Sequence, residues 1–248
     1  MSRRALVTGG GRGIGANVAR ALAADGWEVV VTGRTADQVE AVAAEIGGRA
    51  LVGDVSRRED VERWFAEAGE VDLLVNNAGI IGPQTDFLGE DAEAWLHVFE
   101  VNVFGAFLCC RAAVPGMLAR GGGRIVNVSS GAAYLPGAAM AGTAYGPSKA
   151  ALHRFSELLA ARLSPQGIFV FSISPGLVKT ELTAGFPDDA PWTPDECAPR
   201  LVVALAGGGF DALAGRYLHA EHDPPEALRE RVQEILDGDW NAIRLRRP

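Results

Sequence analysis

The feature that most limits how this chain folds is its alternation of short apolar runs with longer helical patterns. Residues 4–8, 28–33, 50–53, 71–76, 124–129 and 168–174 are brief runs rich in Val, Ile and Leu. They are continuously apolar rather than alternating, as strands covered on both faces must be. Helical patterns fall between them, at 14–25, 36–46, 57–68, 91–119 and 144–164, and after residue 180 the pattern loosens. There, 183–195 reads as a loop rich in Pro, Asp and Gly, 200–206 as a helix, 215–219 as a last strand and 225–236 as a final amphipathic helix. Strand–helix alternation of this kind implies right-handed βαβ crossovers. The expected fold is therefore α/β, a Rossmann-type doubly wound parallel sheet of about seven strands with helices on both faces. No linker, low-complexity segment or repeat beyond the βα period interrupts it, so residues 1–248 are read as one domain.

Composition enters as a set of exclusions. The 23 basic residues are outnumbered by 31 acidic ones, for a formal net charge of −8. Nucleic acid is therefore not an expected partner, because a phosphate backbone calls for surplus Lys and Arg. The three cysteines, Cys109, Cys110 and Cys197, cannot make a disulfide framework and are expected reduced and buried. The apolar run near the N-terminus is too short for a signal peptide, and no uninterrupted apolar stretch approaches membrane-spanning length. A cytoplasmic protein with no membrane partner is the expectation.

The first strand runs directly into Thr8-Gly9-Gly10-Gly11-Arg12-Gly13-Ile14-Gly15, and a helix follows. Glycines there accept positive φ, let backbone approach a pyrophosphate, and let the helix pack tightly on the strand. The helix N-terminus then presents N–H groups and partial positive charge to phosphates. Dinucleotide binding is the expectation. The second strand ends Thr32-Gly33-Arg34-Thr35, without the acid that holds a ribose 2′-hydroxyl in NAD sites. Arg34 can clamp a 2′-phosphate in its place, and Arg12 can approach the same group from the turn. NADP(H) is thus preferred over NAD. Asp54, after the third strand, reads either as an acceptor for the adenine amino group or as a helix cap.

Tyr145 and Lys149 stand four apart at the start of a helical pattern and share one face. Pro147 between them is tolerated only in a first turn. An ammonium beside a phenol favours the phenolate and brings its pKa down from an ordinary value near 10 toward neutrality. Ser129 and Ser130 close the fifth strand, at the sheet edge where ligands bind, and can polarise the same substrate oxygen. A serine-nucleophile hydrolase does not fit, because Gly-x-Ser-x-Gly is absent and His97, His153, His219 and His222 lie in no evident triad context.

Taken together these motifs resemble the compact, single-domain branch of the short-chain dehydrogenase/reductase family. The resemblance covers roughly residues 4–180. It rests on Thr8-Gly9-x-x-x-Gly13-x-Gly15, Asn76-Asn77-Ala78-Gly79, Asn102, Ser130, Tyr145, Lys149, and Pro175-Gly176 with Val178 and Thr180. It implies a catalytic set of Asn102, Ser130, Tyr145 and Lys149, with Tyr145 as general acid or base. Lys149 would lower the Tyr145 pKa and hold the nicotinamide ribose, and Asn102 would position a water in a proton relay. It implies cofactor contacts from Gly9, Gly11, Arg12, Gly13, Ile14, Gly15, Arg34, Asp54, Val55, Asn77, Ala78, Gly79, Tyr145, Lys149, Pro175, Gly176, Val178 and Thr180. The substrate is expected to be a small carbonyl or alcohol, with no metal. A homodimer or homotetramer built on the long helices is the expected assembly. A non-catalytic NADP-binding regulatory or scaffold protein is the alternative on the same fold.

The chain departs from the family pattern in three places. Residues 131–143 lengthen the Ser130–Tyr145 spacing and offer Tyr134, Leu135 and Met140 as pocket residues. Leu182, Phe186 and Trp192 give a short lid, about 181–195, an apolar inner face. The end of the last strand runs through His219-Ala220-Glu221-His222-Asp223, where a metal reading is set aside, into a tail, about 221–248, with a basic end expected to be solvated.

Overall fold

A computed structural model describes residues 3–135 and 142–245. Seven strands form one parallel sheet in the order β3-β2-β1-β4-β5-β6-β7. They are β1 (Arg4–Thr8), β2 (Glu28–Gly33), β3 (Arg49–Val52), β4 (Leu73–Asn76), β5 (Gly123–Val128), β6 (Ile168–Ser174) and β7 (Tyr217–His219). The order reverses between β1 and β4, so a crevice opens there at the carboxyl edge of the sheet. The expected strands are all present, with ends displaced by a residue or two. β4 is shorter because the Asp72 carboxylate accepts from the Arg4 N–H, 2.8 Å, and from Arg120.

Neighbouring residues on each strand feed opposite faces. Val7, Val31, Leu73, Val126 and Phe171 pack against α1 (Gly13–Ala24), α2 (Ala36–Ile46), α7 (Cys197–Ala206) and α8 (Pro225–Asp237). Their partners Leu6, Val30, Leu74, Ile125 and Val170 pack against α3 (Arg58–Ala68), α5 (Gly105–Ala119) and α6 (Tyr145–Leu163). This double burial is why the strands read as continuous apolar runs.

On the second face the apolar rows give way to polar ones near the carboxyl edge. The register sets Asn76, Asn127, Ser172 and Tyr217 opposite one another across β4 to β7. Asn76 Nδ2 donates to Asn127 Oδ1 at 2.8 Å, and Asn127 Nδ2 donates to Ser156 Oγ of α6 at 2.8 Å. These bonds tie α6, which carries Tyr145 and Lys149, to the sheet.

The long helix expected over 91–119 runs from Ala92 to Ala119 with a π-turn inside it. α4 (Ala92–Phe99) passes through a π-turn at Glu100–Phe104 before α5 begins. By length and composition the run Ala92–Ala119 is apolar enough to cross a membrane. Half of it is buried within the fold, and Val98, Leu108, Cys109, Cys110 and Met117 belong to the core. Residues 183–195 are a loop as expected, preceded by one short helical turn at Glu181–Thr183. Arg244, at the start of the basic end, is exposed and ion-paired. Arg244 pairs with Glu157 of α6 and with Asp239, both at 2.7 Å. Arg246 and Arg247 lie outside the described residues.

Candidate active site

One crevice of about 1440 Å³ runs along the carboxyl edge of the sheet. It joins the glycine turn, Arg34, Asp54 and Val55 at one end to Ser130, Tyr145 and Lys149 at the other. Asn77, Ala78 and Gly79, and Pro175, Gly176, Val178 and Thr180, line the space between. Ligands of α/β sheets are expected at this place.

The turn's backbone path is fixed by contacts a side chain cannot share. Gly9 and Gly13 adopt φ of +63° and +52°. A Cβ on Gly15 would stand 2.3 Å from the Gly9 carbonyl oxygen and 2.4 Å from Asn77 Nδ2. Gly15 is therefore packed against the turn and Asn77, and it is not among the residues lining the crevice. Asn77 Nδ2 donates to the Thr8 and Gly9 carbonyls at 3.0 and 3.1 Å, while the Asn77 and Ala78 N–H groups donate to Thr8 Oγ1. The Asn-Asn-Ala-Gly segment thus splints the turn from the next strand.

Among the described residues no side chain caps α1. Its first N–H groups are left for a ligand, and its positive end faces the crevice, which suits a pyrophosphate. Arg34 is exposed at the rim and has no ion pair among the described residues, as a 2′-phosphate clamp requires. The donor set fits NADP. Arg12 also lines the crevice, and its guanidinium pairs with Glu181 of the lid. Asp54 lines the crevice and does not cap α3, whose N-cap is Arg57. Its Oδ1 accepts from the Ser56 N–H and hydroxyl at 2.9 and 2.7 Å.

At the other end Tyr145 opens α6, with Pro147 in the first turn where a proline is tolerated. Lys149 is 3% exposed, and its Nζ donates to the Val128 carbonyl at 2.8 Å. That ammonium lies 5.6 Å from the centre of the Tyr145 ring. The expected lowering of the tyrosine pKa by lysine is corrected here. Burial pushes the Tyr145 phenol above its ordinary value, and the Ser130 hydroxyl pulls the other way by hydrogen bonding. Burial likewise brings Lys149 down to about 8. The phenol is thus protonated at neutral pH beside a still largely cationic lysine.

Asn102 sits in the π-turn, 1% exposed, and does not line the crevice. Its amide bonds the Ile80 N–H and carbonyl, each at 2.9 Å, and donates to Ser148 Oγ at 3.0 Å. A Cβ on Gly79 would lie 3.1 Å from Asn102 Oδ1 and 3.3 Å from Lys149 Nζ, so the two side chains flank that glycine. Ser148, which sequence reading missed, donates to the Tyr145 carbonyl at 2.7 Å. Nothing in the sequence distinguishes it from any helical serine.

Leu135, Leu182, Phe186 and Trp192 line the crevice as expected. Tyr134 does not, for its ring packs edge-on against Tyr217. Met140 lies outside the described residues. His219, Glu221 and His222 form part of the wall, with one ligand-capable atom from each within 4.8 Å of the others. Thr193, a second residue missed in the sequence, donates from Oγ1 to Glu221 at 2.6 Å and accepts the Leu177 N–H at 3.2 Å.

A family model described as short chain dehydrogenase matches residues 3–191. A short chain dehydrogenase of Pseudocercospora fijiensis is 41% identical over 76% of this chain, which spans 63% of that relative's length. One of Monascus purpureus is 34% identical over 98% of this chain and 88% of its own. Among solved structures, a gluconate 5-dehydrogenase from Burkholderia cenocepacia in complex with NADP and tartrate superposes with a TM-score of 0.81. It is 28% identical, with 90% of this chain and 95% of that one covered.

Proposed function

Because this chain belongs to the short-chain dehydrogenase/reductase family of NAD(P)-dependent oxidoreductases, we propose that it reduces a ketone to a secondary alcohol with NADPH. The observation that carries this reading is the continuity of one crevice from the Arg34 rim to the Tyr145 hydroxyl. The NADP held by the Burkholderia relative supports the choice of nucleotide. The α1 N-terminus and the glycine turn would hold the pyrophosphate, Arg34 the 2′-phosphate, and Lys149 the nicotinamide ribose. Pro175, Gly176, Val178 and Thr180 would border the nicotinamide, which supplies the hydride.

The chain's own residues handle the proton. Ser130 Oγ donates to the substrate carbonyl oxygen and stabilises the charge that develops there. Tyr145 Oη gives its proton to the same oxygen, and its burial keeps that proton in place until it is needed. Lys149 compensates the phenolate left behind. Asn102 acts through structure, holding the segment at Ile80 and the first turn of α6 in one frame. The exposed Phe104, Phe107 and Leu158 on neighbouring helices support the expected homo-oligomer.

The test is Tyr145→Phe. Turnover of ketones should fall by about 10³-fold or more while NADPH still quenches protein fluorescence with little change in Kd. A variant reducing ketones at the wild-type rate refutes the role of Tyr145, and binding of NADPH without turnover of any carbonyl compound by the wild type supports the scaffold reading instead.

A further inference from the structure

His219, Glu221 and His222 stand on the wall of the crevice, at the end of β7. The register sets His219 beside Ser174 of β6, and Ser129 of β5 bonds the Ile173 carbonyl on the other side of β6. His219 is therefore two strand spacings, about 10 Å, from the end of β5 that leads into Ser130. This is across the crevice from the reacting centre and within the length of one substrate molecule.

The protonation of His219 is set by backbone. The N–H groups of Glu221 and His222 both point at its Nδ1, at 3.3 and 3.4 Å. Nδ1 is the acceptor, so the ring proton sits on Nε2, which is a donor. Burial and the neighbouring His222 hold the ring below its ordinary pKa, so it stays neutral at pH 7. The His222 ring stacks on it at 4.2 Å with the planes 15° apart. Ring nitrogens coordinate metals in the plane of the ring, and two nearly parallel planes do not direct lone pairs to one point. With Nδ1 of His219 also engaged, the cluster is poorly made for a metal ion despite its composition.

Glu221 has no ion pair among the described residues. It is held by Thr193, whose hydroxyl donates to it and which itself anchors the Leu177 backbone. A carboxylate without a cation repels anions and accepts from donors, and the imidazole N–H beside it donates to acceptors. A hydroxyl satisfies both at once. Leu182, Phe186 and Trp192 give this end of the crevice its apolar surface, and the nearby cation Lys179 lies over the Trp192 ring at 5.1 Å and is paired with Asp188.

We infer that His219 and Glu221 are specificity-determining residues for an uncharged ketone with an apolar body and a hydroxyl, or a pair of adjacent hydroxyls, at the end remote from the carbonyl. This rests on the ketone reductase reading above and narrows it. The probes are benzylacetone, its para-hydroxy analogue and its catechol analogue, which differ only at the far end of the ring. The hydroxylated ketones should show kcat/KM at least about tenfold above benzylacetone with NADPH, because leaving the polar wall unpaired costs affinity. Calorimetric Kd values without NADPH should show the same order. In His219→Leu and Glu221→Leu the ratio should collapse toward one.

Reduction of all three ketones with equal efficiency and equal Kd overturns the inference and leaves the reductase reading standing. A Kd preference without reduction of any ketone overturns that reading and leaves the recognition intact. Equimolar Zn²⁺ binding that is lost in Glu221→Leu and His222→Ala would show the cluster to be a metal site and overturn the inference. Because the wild-type ratios alone can refute it, the test does not depend on the variants folding.

Discussion

The crevice is built in two ways. At its cofactor end, the turn from Gly9 to Gly15 is defined by backbone, because a Cβ at Gly15 meets the Gly9 carbonyl and the Asn77 amide. At its substrate end, His219 to His222 is defined by side chains, and Thr193, Glu221 and His219 hold one another through hydrogen bonds. Steric walls of backbone permit one residue type. A hydrogen-bonded wall permits many, each with a different ligand preference. The first end is thus set by sterics, and the second by hydrogen bonds among Thr193, Glu221, His219 and the His222 backbone.

The largest effect that should separate the two ends is on stability. Gly15→Ala places a methyl against main-chain atoms that cannot swing aside. It should cost about 3 kcal/mol of stability and raise the Kd for NADPH. His222→Ala, at the exposed end, should cost no more than about 0.5 kcal/mol. Chemical denaturation of the two variants measures this directly. Equal costs would mean that the glycine turn relaxes as easily as the histidine wall, and the contrast would fail.

Next in size is the nucleotide choice. Arg34→Asp replaces a guanidinium with the carboxylate that a ribose 2′-hydroxyl favours. A charge-assisted bond is worth about 1.5–3 kcal/mol, so the NADPH/NADH ratio of kcat/KM should fall by roughly 100-fold. An unchanged ratio would transfer the 2′-phosphate role away from Arg34. Arg12 is not equivalent, because its partner is Glu181.

The same division governs what could be read from sequence. The fold was legible because the inner strands of the sheet are buried on both faces, and the glycine turn was legible because its spacing answers to sterics. Ser130, Tyr145 and Lys149 were legible as a set, and one crevice gathers them. What escaped depends on tertiary contacts with no local pattern. Gly15 fits the motif, but its packing against Gly9 and Asn77 shows only in the fold. Asn102 is turned toward Ile80 and Ser148 by a π-turn that residue types do not announce. Thr193 matters because a loop returns it to Leu177 and Glu221. The sign of the Tyr145 shift was also hidden, since spacing shows a neighbouring charge and burial is visible only in the fold.

That sign leads to the smallest effect, a limb in the pH profile at the buried end of the comparison. Lys149 titrates at about 8 in the folded protein, below the ordinary lysine range. The unfolded chain therefore binds more protons between about 8 and 10.5, and folding stability should rise with pH across that window. In the active site the consequence runs the other way. Lys149 is cationic below about 8 and loses its charge above, while Tyr145 keeps its proton because burial raises it. The kcat/KM for reduction, which reports groups of the free enzyme, should be halved near pH 8 and fall about tenfold per pH unit beyond. Lys149→Arg, always charged, should lower activity through lost fit yet abolish that limb. A limb that stayed near 8 in Lys149→Arg would assign the titration to another group and remove the buried ammonium from the proton-transfer step.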